Sequence, residues 1–129
     1  MEMKKIHADE RGDIYSIPLS DKKDIALLVT NKGFARGGHS HPNDDEYFIV
    51  VKGIVKFWVD DTHELFHEGM SECVPHGSRH FFVSLTDSIV MHWGADRETT
   101  IEDAKYRGLV DEINKLFVKL QTNVKEGEK

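Results

Sequence analysis

The segment "GGHSHPNDDEYFIV", Gly37 to Val50, holds two histidines one residue apart, followed closely by three consecutive acids. Side chains at positions i and i+2 of an extended segment leave the same face, so His39 and His41 can grip one object together. Glu46 follows His41 by five positions, a turn's length, which lets it open the next strand and point back at the two histidines. Further on, "GMSECVPHGSRHFF" supplies His80 just after a Pro-Gly turn, at the start of another strand. The result is three imidazoles and one carboxylate. Mixed nitrogen and oxygen donation suits one divalent transition ion, Fe, Mn, Ni, Cu or Zn, and suits poorly Ca(II) or Mg(II), which prefer all-oxygen shells. Asp44 and Asp45 are expected to face solvent, although either can replace Glu46 if the turn is shifted.

Smaller signals surround this set. His92, in "SIVMHWG", sits late in a strand-like run and is either an acid or base in an interior cavity or a hydrogen-bonded core residue. Arg36, just before the histidine strand, is either a ligand for an anionic substrate group at a cavity mouth or an exposed arginine. Phe48 and Phe57 share the inward parity of Glu46 and Val55, so they wall a substrate pocket or belong to the core. His7, His63, His67 and His76 lie in polar or turn contexts and are expected at the surface. Cys73, the one cysteine, cannot form an internal disulfide and reads as a small buried residue.

Short strands must position these groups. Runs rich in branched and aromatic residues, "IYSI", "IALLVT", "YFIVV", "IVKFWV", "HELFH", "SECV", "HFFVSL" and "SIVMHW", recur between Gly, Pro, Asn and Asp punctuation. That spacing predicts an antiparallel all-β domain, a sandwich or barrel over about residues 10–94. In "VKFWV" the alternation sends Val55, Phe57 and Val59 inside and leaves Lys56 and Trp58 outside. "YFIVV" is apolar on both faces, and a strand of that kind is covered on its outer side by another element or a second subunit. After Trp93 the two-residue period stops. Tyr106, Leu109, Val110, Ile113, Leu116, Phe117, Leu120 and Val124 follow a helical period, predicting an amphipathic helix over about 102–123. Gly108 argues for a start nearer Leu109, and the tail "KEGEK" reads as disordered.

Composition narrows the partners. With 129 residues, 39% hydrophobic and 31% charged, the chain is expected to fold as one domain. Its apolar runs are far shorter than a membrane helix, and the N-terminus lacks the apolar stretch of a secretory signal, so no membrane partner and a cytoplasmic location are expected. A net charge of −6 without a basic stripe disfavours nucleic acid. A small-molecule substrate and a homodimer, formed through Tyr47–Val51 and the helical face Leu109–Leu120, are the expected partners.

From Gly33 to Gly53, "GFARGGHSHPNDDEYFIVVKG" resembles the first motif of the cupin superfamily, with Gly33, His39, His41, Glu46 and Gly53 filling its fixed positions. From Gly69 to Ser84, "GMSECVPHGSRHFFVS" resembles the second, matched by Gly69, Pro75, Gly77 and His80; Ser84 stands where that family usually has Asn, which is not a ligand. The resemblance implies a jelly-roll barrel of six to eight strands with His39, His41, Glu46 and His80 binding a divalent metal inside it. The glycines and the proline also mark tight turns that a metal-free barrel would need. Four protein ligands leave one or two open positions for water or substrate, the arrangement of a catalytic centre. "DERGDIYSI" followed by "ARGGHSH" is similar to sugar-modifying cupins that act on nucleotide-linked deoxysugars, such as ketoisomerases. Those enzymes use the two histidines as acid and base, whereas here Glu46 and His80 complete a metal set. The expected function is a metal-dependent isomerase or epimerase for a carbohydrate or nucleotide-sugar-like molecule. The alternatives are a non-haem Fe(II) dioxygenase and a non-catalytic small-molecule binding or sensor domain.

Overall fold

A computed structural model describes residues 2–21, 23–96 and 99–127, with side chains as far as residue 120. The strands are β1 (Lys4–Asp9), β2 (Gly12–Pro18), β3 (Asp24–Thr30), β4 (Ala35–Ser40), β5 (Glu46–Lys52), β6 (Val55–Val59), β7 (Thr62–Phe66), β8 (Ser71–Val74), β9 (His80–Ser84), β10 (Ser88–Trp93) and β11 (Ile101–Glu102), followed by helix α1 (Ala104–Gly127). They build two antiparallel sheets, one ordered β1-β2-β3-β10-β5-β8 and the other β11-β4-β9-β6-β7, the facing walls of a jelly roll. Among the described residues no helix is long and apolar enough to cross a membrane.

The period of two in the strands explains the interior. Leu28, Phe48, Val50, Val55, Phe57, Phe66, Val74, Phe82 and Val90 meet between the sheets, each burial stabilising by roughly 1.5–3 kcal/mol. The opposite parity of the five-stranded sheet makes a second cluster. Ala35 and Phe81, with half-buried Trp58 and Val83, pack against Tyr106, Val110 and Ile113 of α1. Trp58 thus lies outside the barrel, as its parity requires, but under the helix, stacked 4.6 Å from Phe81. Asn114 fixes the helix to the edge of β4, its side chain donating to Ala35 O at 3.0 Å and accepting from Ala35 N at 2.7 Å.

Several expectations are corrected. The helix begins at Ala104, not near Leu109, because Asp103 accepts the Tyr106 amide at 3.0 Å as a cap and Tyr106 is anchored by its buried ring. Gly108 is tolerated on the exposed side of the helix. The packed stripe is Tyr106, Val110, Ile113 and Phe117, which leaves Leu109, Leu116 and Leu120 exposed; the Val124 side chain falls outside the described residues. The helix also runs on to Gly127 through most of the tail read as disordered, with Glu128 and Lys129 outside the described residues. Cys73 is exposed, since on the edge strand β8 the inward position falls to Val74. β1 joins the six-stranded sheet ahead of the expected start at residue 10, and β4 extends back to Ala35, so Arg36 lies within the histidine strand.

The conformation of β4 decides which side chains reach the interior. Arg36 and His39 are three positions apart, a spacing that sends two residues of a regular strand to opposite faces. Here both line the same cavity, because the register shifts between Gly37 and His39. The bulge is made by two glycines at φ 109° and 92°, a region open to glycine and closed to most other residues. A Cβ on Gly38 would lie 2.9 Å from the backbone of Arg107 in α1. Gly38→Ala is therefore expected to destabilise the fold by about 2 kcal/mol or more, read by urea denaturation; unchanged stability would show that the bulge is not strained.

Candidate functional site

Three loops and strand ends bring the donors together. His39 sits near the end of β4 in direct register with His80, the first residue of β9. His41 follows β4, and its carbonyl accepts the Gly77 amide at 2.8 Å, tying it to the Pro-Gly turn that precedes His80. The rings of His39, His41 and His80 stand 4.7 to 5.5 Å apart, and each offers one nitrogen within 4.8 Å of the other two. Glu46, the first residue of β5 and only 2% exposed, closes the cluster from the facing sheet. Its Oε2 lies 2.5 Å from His41 Nε2, and its Oε1 lies 2.9 Å from His92 Nδ1 and 3.9 Å from His80 Nε2.

Protonation follows from burial. Desolvation disfavours the charged imidazole, and with the neighbouring histidines it outweighs the pull of Glu46, taking His39 down to about 3 and His80 down to about 4. Both rings are therefore neutral at physiological pH, the form in which a histidine can ligate. Burial alone would push the Glu46 carboxyl up, but the imidazoles of His41 and His92, each close against one of its oxygens, prevail and hold it well below the usual carboxylate range. Two ring nitrogens in this cluster, His41 Nε2 and His80 Nδ1, are buried without an aligned hydrogen-bond partner. His41 Nε2 approaches Glu46 Oε2 closely yet out of line for a hydrogen bond. Three imidazoles, each with one nitrogen within 4.8 Å of the other two and a carboxylate beside them, fit a shared cation, and the nitrogen-rich set fits a transition ion.

The cluster opens into a cavity of about 280 Å³. His92 lies on its wall, stacked 5.3 Å from Phe48. Phe48 is a wall residue and also part of the core. Phe57 does not reach the cavity; it is core, wedged between Phe48, Phe66 and Phe82. Arg36 lines the cavity but is neither exposed nor at the mouth, being 4% accessible, because the bulge turns it inward. Asp45 is exposed and accepts from His76, while Asp44 accepts the Asp96 amide; neither replaces Glu46. Ser84 is fully buried, its hydroxyl 2.6 Å from that of Ser88, and so ties β9 to β10 below the site. His7, His63, His67 and His76 are exposed. Sequence reasoning missed Thr100, whose hydroxyl lies 3.2 Å from His41 Nδ1, and the cavity residues Arg11 and Arg107. None of the three stands at a motif spacing; Arg11 of the N-terminal hairpin, Arg107 of α1 and Thr100 before β11 come to the cavity only through the fold.

The neutral histidines set a pH dependence. As pH falls below about 6.5 the unfolded chain takes up protons on His39 and His80, while the folded chain keeps them neutral down to about 3 and 4. Stability is therefore present above pH 6.5 and is lost through that window, by on the order of 2 kcal/mol per histidine at pH 5. The contribution of Glu46, whose pKa is also lowered, is lost only at more acidic pH. Urea denaturation of chelator-treated protein at pH 7.5 and 5.0 measures the difference; equal stability at both would contradict the buried neutral rings.

Comparison with known proteins places the fold and the family. The chain is 32% identical over 53 residues to a UDP-2-acetamido-2,6-beta-L-arabino-hexul-4-ose reductase of Pseudomonas aeruginosa, covering 40% of this chain but only 14% of that enzyme. Among solved structures it is similar to KdgF from Halomonas sp., with a TM-score of 0.64 and 17% identity over 75% of this chain and 87% of the other. It also resembles the capsular polysaccharide assembling protein CapF from Staphylococcus aureus, with a TM-score of 0.66 and 18% identity over 80% of this chain and 33% of CapF. At such identities the structural likeness speaks for the fold alone. The Cupin_2 model, described as a cupin domain, matches residues 27–94, more than half of the chain, and spans the three clustered histidines and Glu46: the chain belongs to the cupin family.

Proposed function

We propose that this protein is a metal-dependent isomerase or epimerase acting on a carbohydrate-like small molecule, with His39, His41, His80 and Glu46 holding one divalent transition ion. The observation that carries the reading is the Glu46 carboxylate shared between His41 of the cluster and His92 of the cavity wall. A cation held there would supply Lewis acidity toward a carbonyl or enediolate oxygen. Glu46 holds His92 through Nδ1 and leaves Nε2 to take or return a proton beside the carbonyl. Phe48, stacked on His92, fixes its plane and keeps water from that side. An inward acid or base beyond the ligands also favours an enzyme over a binding-only domain. The sugar-directed names of the reductase and of CapF support a carbohydrate substrate, although each is much longer than this chain.

Elemental analysis of tag-free protein should find near one equivalent of metal, and none in the double variant His39→Ala, His41→Ala. Absence of metal after divalent ions are added would overturn the reading. His92→Asn should keep the metal and slow solvent deuterium exchange into keto sugars by about 100-fold. Substrate-dependent oxygen uptake with iron would replace the isomerase by a dioxygenase.

We propose further that a homodimer forms on the outer face of the six-stranded sheet. Tyr47 and Val51, 41% and 48% exposed, adjoin Ile49 and, on β10, Met91 and Trp93. The helical leucines lie on the opposite side of the barrel, so one two-fold contact does not take both surfaces. Light scattering should give twice the chain mass, falling to the single-chain mass in Val51→Lys; a monomeric parent would sink the idea.

A further inference from the structure

We propose that the cavity carries a second subsite, built on the Arg36 guanidinium, for an anionic oxygen group, carboxylate or phosphate. The ligand is then a bifunctional acid, one end at Arg36 and the other at the histidine cluster. This rests on the function proposed above only for the second end; the anion subsite stands on its own geometry.

Arg36 is buried, yet it is left largely unsatisfied. Its Nε donates to Thr30 Oγ1 at 2.9 Å and its Nη2 to Val29 O at 3.4 Å, while Nη1 has no partner. A guanidinium carries five N–H donors, and here both oxygens that receive one are neutral. Among the described residues no carboxylate pairs with it. Asp9 is taken by Arg11 at 2.7 Å and Asp13 by Lys5 at 3.4 Å. Buried charges in proteins are normally paired, since an isolated one costs several kcal/mol. Arg36 instead sits in the cavity wall, whose lining also holds Arg11 and Arg107 and the acids Asp24 and Glu46. Burial, with Arg11 nearby, lowers its pKa only to about 10, so the cation persists at neutral pH. A planar fork with free donors in a desolvated wall is the geometry that receives a carboxylate or phosphate.

The register gives the length of the ligand. His92 pairs with Ala26 at the level of the cluster, whereas Thr30, the partner of Arg36, pairs with Ser88 four residues along. At about 3.3 Å per residue the two levels are ~13 Å apart along the strand, less the reach of the side chains. The cavity between them is about 280 Å³. A compact acid fits this span and this space.

The test is calorimetry with malonate, adipate and inorganic phosphate on metal-loaded and chelator-treated protein, in the parent, Arg36→Met and Arg36→Lys. Adipate should bind the metal-loaded parent at least tenfold more tightly than malonate, which is too short to span both ends. Arg36→Met should lose at least tenfold in adipate and phosphate affinity in both metal states while keeping its metal content, and Arg36→Lys should keep part of the affinity. Phosphate binding more tightly than adipate to chelator-treated protein assigns the subsite to phosphate esters, and the reverse order assigns it to carboxylates. Anion binding that survives in Arg36→Met, or is absent from the parent in both metal states, overturns the subsite. Failure to take up metal, with Arg36-dependent anion binding intact, overturns the proposed function and leaves the subsite standing.

Discussion

The site depends on an irregularity in one strand. If β4 kept the strict alternation of a pleated strand, Arg36 and His39 would lie on opposite sides of the sheet, and one of them would be pressed into the helix that covers its outer face. The two glycines at positive φ absorb one residue of register and leave both side chains on the cavity side. Gly38 also lets α1 approach, since the chain there meets the backbone of Arg107 with no room for a side chain between them. Interior chemistry and exterior packing thus meet at Gly38.

A second dependence is electrostatic. Glu46 is a buried carboxylate that stays ionised because His41 and His92 compensate for its lost hydration. It joins two groups that act differently, the ligand cluster and a wall residue, through its two oxygens. Whatever withdraws charge through one oxygen changes the basicity of the other, so His92 responds to the state of the cluster without touching it. The phenylalanines around these groups supply the dry surroundings in which such coupling is strong.

Much of this was legible in the sequence because the residue types are rare and their spacings specific. His39, His41 and His80 lie together, with Glu46 against His41, and the alternating strands form the expected barrel. Arg36 was legible only as one of two readings, an anion ligand at a cavity mouth or an exposed arginine, because the bulge that turns it inward does not show in the spacing. β1 escaped because "KKIHAD" buries no face and forms only by pairing with β2, while β11 is two residues long. The start of the helix was set by the Asp103 cap and the Tyr106 anchor, which outweigh the helix-breaking tendency of Gly108. Phe57 has the parity of a wall residue, but the depth of the cavity, which parity does not report, leaves it in the core.

The clasp between Asn114 and Ala35 bears on how this sheet ends. β4 runs beside β11, which pairs only with Ser40 and His39, so most of its outer backbone would be an open edge. Those groups are instead taken by polar partners from the start and middle of the helical segment: Asn114 at Ala35, Arg107 at Gly37 O and the Asp103 amide at Gly38 O. The helix therefore serves β4 as a substitute strand, one that satisfies hydrogen bonds without offering a further edge to continue the sheet. The strand that carries the histidines is thereby closed to strand invasion by a neighbouring chain.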